Sequence, residues 1–335
     1  EGWLCGTGCI KVRLGSGIVD PLFTSLYLGH PIVKEWIVRH AIGATMPNLN
    51  TSIMSAVPVA VPPLPEQRAI AAILGALDDK IELNRRMNET LEELARTIFK
   101  SWFVDFDSVK AKAEGRQPEG MDAEPRTHSV EELVSLGVLV VGDGYRAKNS
   151  ELAPEGLPFI RAGNLKSRVD VLGAERLCRQ SSRSAGVKCS RALDTAFTSK
   201  GTVGRITLVY SQTPEFVYSP QVCFWRSANH SKINPHVLYE WMRSPEFTAQ
   251  VDAVKGNTDM AEYVSLRDQR KMRVPHWSEE LHAALGAVLA PLHDRVGANF
   301  AENDTLAEIR DLLLPKLISG ELRVPDAEKL AEAAS

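Results

Sequence analysis

Residues 66–106 read EQRAIAAILGALDDKIELNRRMNETLEELARTIFKSWFVDF, and the seam positions recur at alternating intervals of four and three: Ile70, Leu74, Leu77, Ile81, Asn84, Asn88, Leu91, Ala95, Ile98, Trp102. That spacing is a heptad, and it predicts one long helix whose stripe meets another helix. Pro65 is tolerated in a first helical turn, and Glu66 beside the helix N-terminus suits the dipole. At the α-helical rise, a helix of roughly thirty-odd residues would run ~50 Å, which suits a strut better than an element lying beneath one small domain.

A second seam of the same kind lies downstream: Leu285, Leu289, Leu292, Val296, Asn299, Asn303, Leu306, Arg310, Leu313, Leu317. Leu77, Asp79, Asn84, Asn88, Thr90 and Leu91 match Leu292, Asp294, Asn299, Asn303, Thr305 and Leu306. Ahead of the seams, Arg13, Gly43, Thr45, Ser52, Val61 and Pro62 match Arg226, Gly256, Thr258, Ser265, Val274 and Pro275, in a register two residues shorter. The chain therefore reads as two copies of one domain-plus-long-helix unit. Residues 1–103 correspond to about 214–317, so the first copy lacks a counterpart of about 129–213, and the natural protein is expected to continue upstream by something on the order of 80 residues, an ordinary part of a domain. Asparagines in mid-seam fix register and partner. An antiparallel pairing of the two helices sets the two Asn pairs opposite one another and relates the two units by a pseudo-two-fold. A parallel pairing and a coiled coil between two chains remain open at this level.

The fold class this predicts is α+β, with small-sheet domains joined by two long helices in an antiparallel coiled coil. The expected boundaries are 1–64 for the back half of a first domain, 65–106 for the central helix, 107–128 for a linker, 129–277 for a complete second domain, 278–320 for the distal helix and 321–335 for a frayed tail. The linker assignment rests on the Lys-, Glu-, Gly- and Pro-rich run 110–126. Within 129–277, β-branched and aromatic runs at 138–141, 158–161, 205–210 and 222–225 predict strands, with helices near 234–241 and 246–253.

The 335 residues carry a formal net charge of -3, and 44% of them are hydrophobic. The charge is unevenly spread: 129–277 holds 20 Lys and Arg against 15 Asp and Glu, while everything after Trp277 holds 5 against 11. A basic middle is compatible with a local phosphate-facing patch. The five cysteines are scattered with no C-x-x-C pair, so neither a disulfide framework nor a zinc site is indicated. No apolar run is long enough to cross a bilayer and the first residues do not form a secretory signal, which makes the cytoplasm the expected compartment.

Polar and basic residues gather between the predicted strands. Arg146 and Lys148 follow Gly144-Tyr145; Arg161, Asn164 and Lys166 follow a second strand; Lys200, Thr202 and Arg205 form a third group; Asn257 lies in the repeated Gly-x-Thr segment. Arg can bond guanine and Asn adenine in bidentate fashion, whereas Lys and Thr hold phosphates, so the mixture suits a loop-based reader of base edges. An exposed arginine on a turn is more often merely solvated, and the Gly-x-Thr segment is equally a structural turn. Catalytic signals are missing. The double proline Pro62-Pro63 lacks the flanks of a base-gripping methyltransferase loop, the glycine-rich stretches complete no nucleotide fingerprint, and the histidines show no metal-ligand spacing. Asp170, Glu175 and Lys188 are too loosely spaced to stand as a nuclease centre.

Two segments carry a family resemblance. Pro63-Leu64-Pro65-Glu66-Gln67-Arg68-Ala69-Ile70-Ala71, continuing through Leu77-Asp78-Asp79-Lys80-Ile81 and Asn84 to Phe99, Trp102, Phe103, Val104, Asp105 and Phe106, resembles the central conserved region of the specificity subunits of type I restriction-modification systems; Leu314-Pro315-Lys316-Leu317-Ile318-Ser319-Gly320-Glu321-Leu322 does so as well. The resemblance implies a non-catalytic subunit that reads a split sequence in double-stranded DNA, one half per target recognition domain, with the helices as the ruler between halves. It implies methyltransferase and restriction subunits as partners and S-adenosylmethionine in the methyltransferase rather than here. Phe99, Trp102, Phe103, Leu313 and Leu317 are the expected partner-docking residues, although aromatics crowding a helix end more often cap a core. The alternative function is a coiled-coil scaffold without DNA readout.

Overall fold

The computed structural model describes residues 9–15, 17–43, 48–103, 127–257 and 262–327. They form two compact units, one built from 1–86 with 300–335 and the other from 87–299. The predicted linker run 110–126 and the threonines of both Gly-x-Thr segments lie outside the described residues.

In the first unit, α1 (Pro21–Gly29) and α2 (Pro31–His40) each begin with proline at a first-turn position, behind the side-chain caps Asp20 and His30. A short α3 (Thr51–Ser55), capped by Asn50, leads to the 40-residue α4 (Leu64–Phe103). The second unit opens on β1 (Thr127–Ser129), which pairs antiparallel with β12 (Arg273–Pro275) and so ties the start of the domain to its end. The first two residues of this strand fall within the stretch expected to be linker. Between them, α5 (Val130–Ser135) begins with a Ser129/Glu132 capping box. Four strands, β2 (Leu139–Asp143), β9 (Val222–Ser227), β6 (Thr195–Thr198) and β7 (Ile206–Leu208), pair antiparallel in that order. A second sheet orders β3 (Leu152–Ala153), β5 (Arg176–Leu177), β4 (Leu157–Ile160) and β8 (Val217–Tyr218), with β4 and β8 parallel. Helices α6 (Arg179–Ala185), α7 (Pro235–Met242), α8 (Pro245–Val254) and α9 (Leu266–Lys271), with the β10 (Gly256–Asn257) and β11 (Glu262–Tyr263) hairpin, complete the domain ahead of the 41-residue α10 (Glu279–Ser319).

Every residue of β9 is buried, so its Val-Cys-Phe-Trp run reads as continuous apolar sequence rather than as an alternation. Arg226 inside that strand is satisfied by a bidentate pair with the fully buried Asp194, at 2.6 and 2.7 Å, and Tyr218 donates to the same carboxylate. Burial, and then the Asp194 charge, push the Tyr218 phenol well up, which keeps its donor proton in place.

The long helices meet antiparallel in each unit. In the first, Arg310 pairs with Asp78 at 2.6 Å, Lys80 with Glu302 at 3.2 Å, and the Asn84 amide donates to Asn303 at 3.0 Å and to Glu302 at 2.7 Å. In the second, Asn299 donates to the Asn88 side chain at 2.8 Å, and Asn88 to the Val296 carbonyl at 3.4 Å. Asn84 and Asn299 occupy matching places in the two seams, and each leaves its amide oxygen without a partner among the described residues. Apolar seam residues close the rest: Ile70, Leu74, Leu77, Leu306, Leu313 and Leu317 form one core, and Ala95, Phe99, Leu285 and Leu289 join the core of the second unit's domain. The end of the chain also departs from expectation. Residues 324–327 are helical and Ala327 is fully buried in the first unit's core, because Leu322 and Val324 pack beside it.

The repeat is visible at the level of single bonds. The backbone N–H of the cap Asp20 donates to Gln67 at 2.8 Å, and that of the cap Asn234 donates to His282 at 3.3 Å. Aligned caps therefore equate Asp20 with Asn234, His30 with Ser244 and Asn50 with Ser265, one or two residues away from the matches that sequence identity selects. Identity misled there because the cap position, rather than the residue type, is what the fold repeats. The corner of α1 is lined by Leu22, Leu26, Leu74, Asp78 and Arg310 and leaves a cavity of about 240 Å³. The matching corner of α7 is filled instead by a buried polar chain. His236 meets His293 at 2.9 Å, His293 meets Glu240 at 3.0 Å, and Arg243 joins Glu240 at 3.3 Å to Glu92 at 3.0 Å. His236 and His293 thus meet through their Nδ1 atoms, and His293 Nε2 faces the Glu240 carboxylate.

Two outcomes are expected. Asn88→Ala strands the buried Asn299 amide and should lower stability by about 1–3 kcal/mol in urea unfolding, whereas replacing both by Leu should restore it. Burial, followed by His293, lowers His236 to about 4, and burial, followed by His276, lowers His282 to about 4. Both protonate more readily in the unfolded chain, so their contribution is complete above pH 6.5 and falls as the pH drops from 6.5 towards 4. Thermal unfolding across that window should show the loss, and His282→Gln should flatten it.

Candidate nucleic-acid interface

Strands β2 and β6 flank β9 and run parallel to each other, so both end at the start of β9: Asp143 pairs with Cys223 and Thr198 with Val222. Strand β4 ends beside the same connection, since the Ser219 N–H donates to the Ile160 carbonyl at 2.9 Å. The segments that follow these three strands contain three of the basic groups expected from the sequence. They converge on Ser219-Pro220-Gln221, a link that lies between β8 and β9.

Each loop is fixed by its own bonds. Tyr145 N–H donates to the Tyr218 carbonyl at 2.7 Å, and a Cβ on Gly144 would stand 2.1 Å from the Ser219 oxygen, so only glycine lets the chain pass. Glu151 then accepts from the Lys148 N–H at 2.7 Å, Ser181 Oγ at 2.6 Å and Tyr145 Oη at 2.8 Å. Those bonds, the backbone one first, hold its carboxyl below the usual range. The turn at 162–164 sets its Ala162 N–H on Gln221 Oε1 at 3.3 Å, while Arg205 Nη1 reaches the Ala162 and Leu165 carbonyls at 3.4 and 3.3 Å. The 199–205 loop hangs from Gln221 by its Ser199 N–H at 2.9 Å, and Gly201 N–H donates to the Glu262 carbonyl of the β10–β11 hairpin at 3.0 Å.

Arg146, Lys148 and Lys200 are exposed and form no ion pair with a described residue. Thr202 is exposed as well, its carbonyl holding Thr198 Oγ1. Arg161 is exposed but pairs with Glu175 at 2.7 Å and lies over the Phe159 ring; Lys166 pairs with Asp170 at 3.0 Å. Asn164 turns its amide oxygen onto the Arg161 N–H at 3.0 Å, which commits half of the bidentate set adenine would use. Arg205 is a clasp on the 162–165 turn rather than a free cation. Asn257 lies in β10 opposite Glu262, within the hairpin that joins this edge.

The docking residues are placed differently. Phe99, Leu313 and Leu317 are buried in the cores, Trp102 packs half-buried against the core of the second unit, and the side chain of Phe103 lies outside the described set. As buried packing residues, Phe99, Leu313 and Leu317 present no docking surface: Phe99 meets Trp277 edge-on with centroids 6.0 Å apart. Asp170, Glu175 and Lys188 are not gathered either, each being paired with a different group, and no metal-holding cluster occurs among the described residues. Of the cysteines, Cys223 is buried and Cys9 exposed. Sequence reading missed Gln221, which carries no signal until β8 and β9 are in place. It also missed Arg179 and Arg183, whose i,i+4 spacing on one exposed face of α6 could have been noticed.

Comparison with known proteins gives this edge a context. A model of the type I restriction modification DNA specificity domain matches residues 1–93. The type I restriction enzyme HindI specificity subunit of Haemophilus influenzae is 24% identical, over 96% of this chain and 82% of its own length. The MjaIX specificity subunit of Methanocaldococcus jannaschii is 27% identical, over 88% of this chain and 67% of its own. This chain is a homologue of type I restriction-modification specificity subunits. The fold agrees: the crystal structure of the type I restriction-modification S subunit from M. genitalium superposes with a TM-score of 0.53 at 20% identity, over 90% of this chain and 73% of that one. Long helices and α+β domains make up the described part of this specificity-subunit homologue, and no described helix is long and apolar enough to cross a membrane.

Gly144→Ala tests how tightly the edge is built. The new methyl meets the Tyr218–Ser219 backbone, so stability should fall by about 3 kcal/mol or more in thermal unfolding.

Proposed function

We propose that this chain is a non-catalytic DNA-recognition subunit that directs methyltransferase and restriction subunits to a bipartite target in double-stranded DNA. The observation that carries the reading is the convergence of three polar and basic loops on the Ser219–Gln221 link, in a chain homologous to specificity subunits. A single edge that presents Arg, Lys, Asn and Thr from separate loops offers both kinds of contact that sequence reading needs. Cations and hydroxyls hold phosphates, and turn-borne amides and guanidiniums address base edges.

In this reading residues 129–277 form the recognition domain, residues 1–64 belong to a first one, and the helices 65–106 and 278–320 act as the spacer. The methyl donor, S-adenosylmethionine, belongs to the methyltransferase partner, and this chain holds no cofactor of its own. Arg146, Lys148 and Lys200 are phosphate contacts, with Arg179 and Arg183 extending that flank. Arg161, Asn164 and Lys166 belong to the base-reading turn, with Thr202, Arg205 and Asn257 shaping its surroundings.

Two measurements test this. Methylome sequencing of source cells with and without the gene should reveal a split motif that disappears with it; an unchanged methylome would favour the coiled-coil scaffold instead. Arg146→Ala with Lys148→Ala should weaken binding evenly across sequences and reduce the slope of log affinity against log salt by about 2, one unit per lost phosphate contact.

A further inference from the structure

The turn at 162–164 is held mostly by residues outside it. Its own bonds are few: Arg161 N–H to Asn164 Oδ1 at 3.0 Å, Asn164 N–H to the Arg161 carbonyl at 2.9 Å and Leu165 N–H to the Ala162 carbonyl at 3.3 Å, with the fully buried Leu165 as anchor. Arg205 grips the Ala162 and Leu165 carbonyls, and Thr207 Oγ1 donates to the Lys166 carbonyl at 2.9 Å. Asp170 N–H donates to the Asn164 carbonyl at 2.8 Å and Leu165 bridges to Val169, and at the Ala162 end stands Gln221. Its side-chain oxygen accepts the Ala162 N–H at 3.3 Å, while its backbone carbonyl accepts Ser199 N–H at 2.9 Å and Ser199 Oγ at 3.4 Å. Gln221 is itself placed by a tight turn, in which Val222 N–H returns to the Ser219 carbonyl at 2.9 Å with Pro220 as the second residue. One half-buried residue thus ties the loop after β4 to the loop after β6, from a position fixed by proline and by the first pairing of β9.

We propose that Gln221 is a positioning residue for sequence preference, using its amide oxygen to lock the 161–166 turn against the 199–205 loop. The inference rests on the DNA-reading function proposed above and names one residue on which its specificity depends. Base readout requires donors held to within roughly 0.5 Å, so a turn released on one side loses discrimination before it loses its fold. No described bond uses the Asn164 amide NH2, and Gly163 beside it is exposed, so a base edge can be met at this turn.

The test uses the full chain assembled with its methyltransferase partner and a pool of random-sequence duplexes, from which bound molecules are selected and sequenced. Gln221→Met keeps the side chain's length and removes the acceptor; Gln221→Glu keeps an acceptor oxygen. Wild type should enrich a defined half-site, and Gln221→Met should reduce that enrichment about tenfold while remaining folded, with a modestly lowered melting temperature, and binding the unselected pool as wild type does. Gln221→Glu should bind all duplexes more weakly through its charge yet retain the enrichment. Full enrichment by Gln221→Met overturns the inference alone, as does loss in Gln221→Glu equal to that in Gln221→Met. A wild-type complex that enriches no sequence overturns the DNA-reading proposal and this inference with it.

Discussion

The antiparallel seam between the two long helices is the constraint on which the rest depends, and its asparagines are what make it specific. A purely apolar stripe of Ile, Leu and Val tolerates several registers at similar cost. Buried amides do not, because any slip leaves more of their donors and acceptors unmatched. Asn84 on Asn303 and Asn88 on Asn299 satisfy most of that demand in one arrangement. The two orphaned oxygens, on Asn84 and Asn299, show the cost accepted for it in both copies alike.

From that seam the domains inherit their attachment. Each begins its first corner helix on a capped proline turn whose backbone donates to a side chain on the long helix, Gln67 in one copy and His282 in the other. The same geometry then supports different interiors. The α1 corner remains partly empty, whereas the α7 corner is packed by two histidines, Glu240 and Arg243. A repeated backbone frame with unlike fillings is what caps and helix spacing produce, since they specify positions and leave side-chain chemistry free.

At the edge where β2, β4 and β6 end, polar residues are arranged in two ranks. Arg146, Lys148 and Lys200 extend into solvent from loops whose ends are pinned, while Arg205, Gln221 and Glu151 spend their polar atoms on the loops themselves. Residue type does not separate the ranks, for Arg205 and Arg146 look alike in sequence. The separation comes from reach: Arg205 leaves its loop beside two carbonyls of a neighbouring turn, and Arg146 does not.

The sequence by itself determined the long helices, the matched asparagines of their seams, the strands β2, β4, β7 and β9 of the second domain and the residues expected on its loops, while it left the helices' parallel or antiparallel pairing open. These follow from local periodicity, turn chemistry and internal repetition, all of which can be read along one chain. Only the tertiary structure decided that β2, β4 and β6 end at a common link, that Gln221 joins their loops, that Phe99, Leu313 and Leu317 are packed in cores, and that Ala327 closes one. Those facts depend on pairing between residues far apart in sequence, where side chains of identical type meet different neighbours, and periodicity carries no record of which neighbour it will be.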